Sequence, residues 1–393
     1  MVSGPRRDKR DYPLLLRKYG RSCLDLDDLD DIRLAIPQLL LLIQNMNWAN
    51  PNYQILLVVI TILVRYHELV GVITVSNEVF ARTNLTAADF TDTELYDMRM
   101  PSRVTFYRIF YKLNFPDIIR CDNNTTCCAE EAFLMLLYRL SFPTKLFKMQ
   151  KLFGREYSQV SRIIRATFKY IDDTHKHLVS NNSIRLFAHR FALYNQKFKV
   201  KYQSLHGVVT PPHWNNVAMF SDGTKLKTTR NVRQNFSGHK KVYCLSTIDT
   251  TGVDGVIYET SKFRAGRYND HMQQDLENLG PRIIACQVPN GTRYVTGTDK
   301  GLHRTPGVRA MHNHVHNTPL ETFENRCFSS CRVTNEHDIG RVEYQWKYLE
   351  FQKGLMLNSM PLGVYRRVTV ILTNALTCCE RNATSSLDEY FAL

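Results

Sequence analysis

The chain has 393 residues, enough to bury a large core and to divide into two or three domains. Lys and Arg number 51 against 37 Asp and Glu; the resulting charge of +14 suits a polyanionic partner, or simply a basic soluble surface. The composition is globular. The ten cysteines include no CxxC pair, which argues against a disulfide-stapled scaffold and a paired-cysteine zinc site and in favour of reduced thiols.

Near the start, Arg6-Arg7-Asp8-Lys9-Arg10 reads either as a nuclear import patch or as a solvated tail. No apolar signal region follows it, so secretion is not expected. Sequons such as Asn84-Leu85-Thr86 and Asn290-Gly291-Thr292 therefore carry no message. The acidic run 25–31 solvates or caps a helix. Residues 33–80 are apolar and helical in pattern, with breaks at Pro37 and Pro51. Their longest apolar run, 55–64, is about half a bilayer span, so no membrane partner is expected. Residues 1–100 form a helical N-terminal region whose role the sequence does not disclose.

Residues 101–200 are helical and basic. A helix over 130–140 stops at Ser141-Phe142-Pro143, and a short helix over 145–153 closes at Gly154. A third helix starts near Ser158, a suitable N-cap. On it Val160, Ile163, Ile164, Phe168 and Ile171 share one face, and Arg162, Arg165 and Lys169 follow each other along another. Short helix, glycine turn and basic helix outline a helix-turn-helix whose last helix enters the major groove of double-stranded DNA. Gln159, Ser161, Arg162, Arg165 and Lys169 would face bases or phosphates. A helical bundle with a solvated basic side produces the same pattern. If the outline is right, residues 100–200 bind duplex DNA with a steep salt dependence.

From residue 213 to 393 the pattern is mixed α/β. Strands are expected over 217–221, 241–248, 256–260, 282–288 and 293–296, with a helix over 271–279 capped by Asn269 or Asp270 and a final helix over 336–351. Three acids stand at the ends of such segments: Asp222 after Val217-Ala218-Met219-Phe220-Ser221, Asp299 after Gly297-Thr298, and Glu343 on the last helix. Carboxylates at strand ends lie where ligands collect in open α/β sheets. Gathered within about 4 Å, they would repel by roughly 4 kcal/mol per pair at an effective dielectric near 20, and so would need cations between them. Two divalent ions held this way cut and join phosphodiesters.

The motifs Phe220-Ser221-Asp222-Gly223-Thr224, Gly238-His239-Lys240-Lys241-Val242, Gly266-Arg267-Tyr268-Asn269-Asp270, Gly297-Thr298-Asp299-Lys300-Gly301 and Arg341-Val342-Glu343-Tyr344 stand in this order. With Leu152-Phe153-Gly154-Arg155 and Val160-Ser161-Arg162-Ile163-Ile164 upstream, residues from about 101 to 380 resemble the Harbinger-type transposases, eukaryotic DDE enzymes. The resemblance implies an RNase H-like catalytic fold behind a helix-turn-helix region. It also implies a DDE endonuclease that cleaves DNA strands at transposon ends and transfers them. Asp222, Asp299 and Glu343 would hold two Mg2+ or Mn2+ ions as catalytic metal ligands, with His239, Lys240 and Lys347 on the DNA side. Further expectations are nuclear location, a Myb-like partner protein and a homo-oligomer.

Two departures qualify the resemblance. Leu302 and His303 follow the second aspartate where the family has an aromatic residue and a proline. Glu350 stands two helical turns past Glu343 where DDE enzymes carry a cation, while Lys347 lies one turn past. These motivate an alternative, a catalytically inactive transposase-derived DNA-binding protein. An RNA-directed nuclease fits less well, because the helix-turn-helix outline suits duplex DNA. His312, His314 and His316 alternate and would share one strand face, but with no matching fourth ligand nearby they read as a polar loop. Cys327 and Cys331 read as ordinary thiols and Arg341 as a brace.

Overall fold

The computed structural model describes Thr61 and residues 84–229, 233–286, 291–314, 316–350, 361–380 and 386–393. The chain divides at Phe80/Ala81 into two units, and the second, Ala81–Leu393, holds the sheet and the helices around it. The basic patch at 6–10, the acidic run at 25–31 and, Thr61 apart, the apolar run at 55–64 lie outside the described residues.

The first part of this unit is helical because its apolar residues recur at helical spacing, and its first two α-helices start from side-chain caps. Helix α1, Asp92–Asp97, starts from a Thr91/Glu94 capping box, and α2, Arg103–Lys112, starts from a Ser102 cap. A hairpin of β1, Ile118–Arg120, and β2, Thr126–Cys128, leads to α3, Ala129–Ser141. Phe133 to Leu137 of α3 are wholly buried, so this helix forms the centre of the helical part. Helix α4, Leu146–Phe153, ends on Gly154 in the left-handed conformation, as expected. The following Arg155 is buried and grips Glu131 of α3 with two nitrogens, at 3.3 and 2.7 Å, which fixes the turn. Helix α5, Tyr157–His175, begins one residue before Ser158, with Glu156 at its cap. Its apolar face is buried as the sequence predicts. Helix α6, Phe191–His206, then leads to the sheet.

The sheet is mixed and curled. Its strands are β3, Val217–Lys227; β4, Phe236–Ser237; β5, Val242–Gly252; β6, Ile257–Thr260; β7, Arg264–Ala265; β8, Val295–Thr298; and β9, Val308–Ala310. The order is β4-β5-β3-β8-β9, with β6 and β7 also pairing with β5. Strand β3 runs antiparallel to β5 and parallel to β8, and β9 is parallel to β8. Register shifts between Val217 and Met219 and between Thr250 and Thr251 bend the central strands.

Helices α7, Asp270–Leu276, and α8, Leu279–Ala285, lie between β7 and β8. Three more complete the eleven described: α9, Pro319–Gln345; α10, Leu362–Glu380; and α11, Leu387–Phe391. Two sequence expectations change here. The strand expected over 282–288 is helical up to Ala285, because Leu279 and Ile283 bury at helical spacing and Pro281 sits in the first turn, where its missing N–H costs nothing. The last long helix begins at Pro319, not near 336, because Thr318 and Glu321 form a capping box.

One hydrophobic cluster joins Phe133 and Val160 of the helical part to Ile248, Tyr258, Val342 and Ile371 around the sheet. Phe168 of α5 meets Tyr365 of α10 with ring centroids 4.1 Å apart, and Arg367 grips Asp172 with two bonds of 2.7 Å. The expected boundary between 200 and 213 is thus bridged by shared core. No described helix is long and apolar enough to cross a membrane, and the nine described cysteines form no disulfide among themselves.

Candidate acidic site on the central strand

Asp222 does not end its strand. It sits in the middle of β3, directly opposite Asp249 of β5. Strand β8 pairs with β3 only as far as Phe220, so the edge of β3 beside Asp222 is free of that partner. Asp299 follows the last residue of β8 and stands at this opening. Its position is fixed from behind: Gly297 packs so closely under the Phe328 ring of α9 that a Cβ there would lie 2.5 Å from the ring. Phe328 also stacks on Trp214, with centroids 3.8 Å apart, in a second cluster that includes Val217, Phe220 and Val295. Helix α9 therefore lies against β3 and β8 where the two aspartates emerge.

Both oxygens of Asp222 are held. Gly223 donates its N–H to Oδ1 at 2.8 Å, and Arg332 of α9 donates from Nη1 to Oδ2 at 2.9 Å. The other terminal nitrogen of Arg332 donates to Glu336, one turn further along α9. Asp299 accepts from the Gly301 N–H at 2.7 Å. Burial pushes the Asp222 carboxyl up to about 6; Arg332 works against this and the neighbouring Asp299 adds to it. Asp222 thus has Asp299 as a charged neighbour and is linked to Glu336 through one bridging guanidinium.

Glu343 keeps different company. Two turns beyond Glu336, its carboxyl is raised by burial, lowered by Arg366, and raised again by Asp249 and Glu350. Arg366 in turn bonds the buried Asp249 at 2.7 Å. Glu343 thus feels Arg366 and Asp249, and Asp249 is the cross-strand neighbour of Asp222. Glu336, which the sequence did not single out, lies well inside α9 and one turn past Arg332, through which it is linked to Asp222.

Asp270 approaches from the opposite side. Alternate residues of a strand face opposite ways, and a Cβ on Gly223 would lie 2.6 Å from the Asp270 carboxylate. Burial raises the Asp270 carboxyl, Lys225 lowers it, Asp299 raises it, and His271 and His239 pull it down slightly. Its Oδ1 is buried without a hydrogen-bond partner. The sequence suggested only a helix cap here, and that cap is Asn269, which accepts from the Met272 N–H at 2.8 Å.

The remaining predicted contacts divide. Arg162, Arg165 and Lys169 are exposed on α5, with Gln159 and Ser161 half-buried beside them. His239 and Lys240 are exposed in the turn entering β5. Lys347 is half-buried, pairs with Glu350 at 3.0 Å and lies over the Tyr344 ring, so it is engaged within the protein. Leu302 is buried in the main core, and His303 pairs with Asp275 at 2.9 Å. Arg341 donates to the Gly255 carbonyl and to Thr377, and so braces the fold.

An all-oxygen donor set suits hard cations such as Mg2+ and Mn2+, and charge repulsion at Asp222 would be relieved by one. The carboxylates are spaced more widely than a closed ligand set. Among the described residues, the group of three His, Cys, Asp or Glu donors lying within 4.8 Å of one another is His312, His314 and Glu321. The chain matches no protein-family model, no curated protein and no solved structure.

Proposed function

We propose that this protein is a DDE-type DNA endonuclease of the Harbinger kind, with an RNase H-like sheet. Asp222, Asp299 and Glu336 would be its metal-holding carboxylates. The observation that carries the reading is the convergence of Asp222 and Asp299 from parallel neighbouring strands, joined through Arg332 to Glu336 on the helix lying across them. Two Mg2+ or Mn2+ ions bound by these residues would supply an activated water or 3′-hydroxyl and stabilise the leaving oxygen. Arg332 balances the carboxylates and holds Asp222 and Glu336 in fixed relation. Exposed Arg162, Arg165 and Lys169 on α5 would contact duplex DNA through the helix-turn-helix, and His239 and Lys240 would line the approach. Nuclear location, a Myb-like partner and self-association belong to the same reading.

The test sets the two aspartates and Glu336 against Glu343, a second carboxylate on the helix of Glu336. Asp222→Asn, Asp299→Asn and Glu336→Gln each abolish Mn2+-dependent nicking of DNA and leave DNA binding intact, whereas Glu343→Gln retains nicking. Loss with Glu343→Gln and retention with Glu336→Gln would reverse the assignment. Nicking that survives all of the first three sinks the enzyme.

The pairing of Arg332 with Asp222 favours a second reading, a DNA-binding protein that no longer cuts, in which the guanidinium supplies the positive charge a metal would bring. Calorimetry separates the two. The enzyme takes up Mn2+ in a manner lost in Asp222→Asn; the silent protein shows no such uptake.

A further inference from the structure

We infer that His312, His314 and Glu321 form a binding site for a Zn2+-like transition-metal ion, separate from the acidic site. The inference does not depend on the nuclease reading.

The loop after β9 brings the two histidines to the start of α9. Glu321 occupies the third position of that helix, and its Oε2 is committed to the capping box, accepting from the Thr318 N–H at 2.8 Å and the Thr318 hydroxyl at 3.1 Å. This leaves Oε1 directed at both imidazoles, 3.6 Å from His312 Nδ1 and 3.4 Å from His314 Nε2. Donors about 2.0–2.1 Å from a tetrahedral zinc ion lie about 3.4 Å from each other, so these separations already match the coordination sphere.

The surroundings favour a ligand set over a chance ion pair. His312 is only 12% exposed, and its remaining nitrogen, Nε2, lies 2.9 Å from Glu324 Oε2. A ligating imidazole characteristically gives its second N–H to a carboxylate, which fixes tautomer and ring orientation. Here Nδ1 would bind the ion and Nε2–H would donate to Glu324. The backbone is pinned as well: the His312 N–H donates to Asn325 at 2.9 Å, the His314 N–H donates to Asn317 at 3.0 Å, and both asparagine amides return bonds to the His312 carbonyl. The His213 ring packs against His312, with centroids 4.3 Å apart. Both histidines line a cavity of about 210 Å³, leaving room for water as the fourth ligand. Two imidazoles and one carboxylate select a borderline-soft ion over Mg2+. Such an ion would clamp the loop after β9 to the first turn of α9.

The test uses the full chain stripped with EDTA and titrated with Co2+, then Zn2+. The wild type gives the intense visible absorption of four-coordinate Co2+, displaced by one equivalent of Zn2+. His314→Ala, which removes an exposed ring, and Glu321→Gln, which keeps an oxygen for the cap, each lose the band and at least about tenfold in affinity. The band persists in Asp222→Asn/Asp299→Asn, which distinguishes this site from the acidic one. Glu324→Gln weakens binding by about 10–100-fold, and an unchanged affinity there overturns its orienting part. A wild type without the band, or a band that survives in either His314→Ala or Glu321→Gln, overturns the site.

Discussion

At the scale of single residues, the candidate acidic site depends on what is missing as much as on what is present. Gly297 admits the Phe328 ring, and one turn further along α9 Arg332 reaches Asp222. Gly297→Ala places a methyl group 2.5 Å from the ring and is expected to cost about 1–3 kcal/mol in urea denaturation, with Phe328→Leu recovering part of the loss. An unchanged midpoint would mean that the ring moves aside freely. Asp222 and Asp299 were legible in the sequence because each follows an apolar, β-rich run. Glu336 was not singled out, since what marks it is a bond to a guanidinium one turn earlier, on a helix whose beginning lay further upstream than its apolar pattern suggested. Asp270 was hidden because an acid at a helix start has an ordinary explanation in the helix dipole. The contribution of Glu321 to the histidine pair was obscured in the same way by its capping box.

At the scale of elements, α5 divides its labour between two faces. Val160, Ile163, Ile164 and Phe168 are buried, so the helix is anchored whether or not it meets a ligand. Arg162, Arg165 and Lys169 stand on the exposed side. Replacing all three by Ala should leave stability within about 0.5 kcal/mol. If they contact phosphates, the slope of log affinity for duplex DNA against log salt falls by about 0.9 for each contact removed. A slope identical to the wild type would detach this helix from DNA binding. The helix itself was readable from its 3.6-residue period. The shortness of α8 and the presence of Pro281 made its segment look like a strand, for a seven-residue helix shows too few turns to reveal a period.

At the scale of the molecule, the helical part and the sheet share one core, which the sequence could not disclose because no local pattern records which faces meet. A pH-dependent consequence arises at that junction. His175 of α5 is buried, its Nε2 lies 3.1 Å from the Leu113 carbonyl, its ring packs on Phe391, and burial lowers its pKa. An unfolded histidine titrates near 6.5, so as pH falls below about 6.5 the unfolded chain takes up this proton first and stability is lost until the folded group also titrates; above that range the term vanishes. Between pH 7.5 and 5.5 the wild type should therefore lose more stability to urea than His175→Gln, and equal losses would remove His175 as the cause. The fork of Arg367 on Asp172 spans 195 residues of sequence. During synthesis, α5 is made long before the helix that covers its Phe168 and Asp172. At about 5–20 residues per second, the ribosome needs roughly 10–40 seconds to deliver α10. For that interval the nascent chain carries an apolar, basic helix with no C-terminal cover, and its safe passage depends on whatever shields it until the last turns emerge.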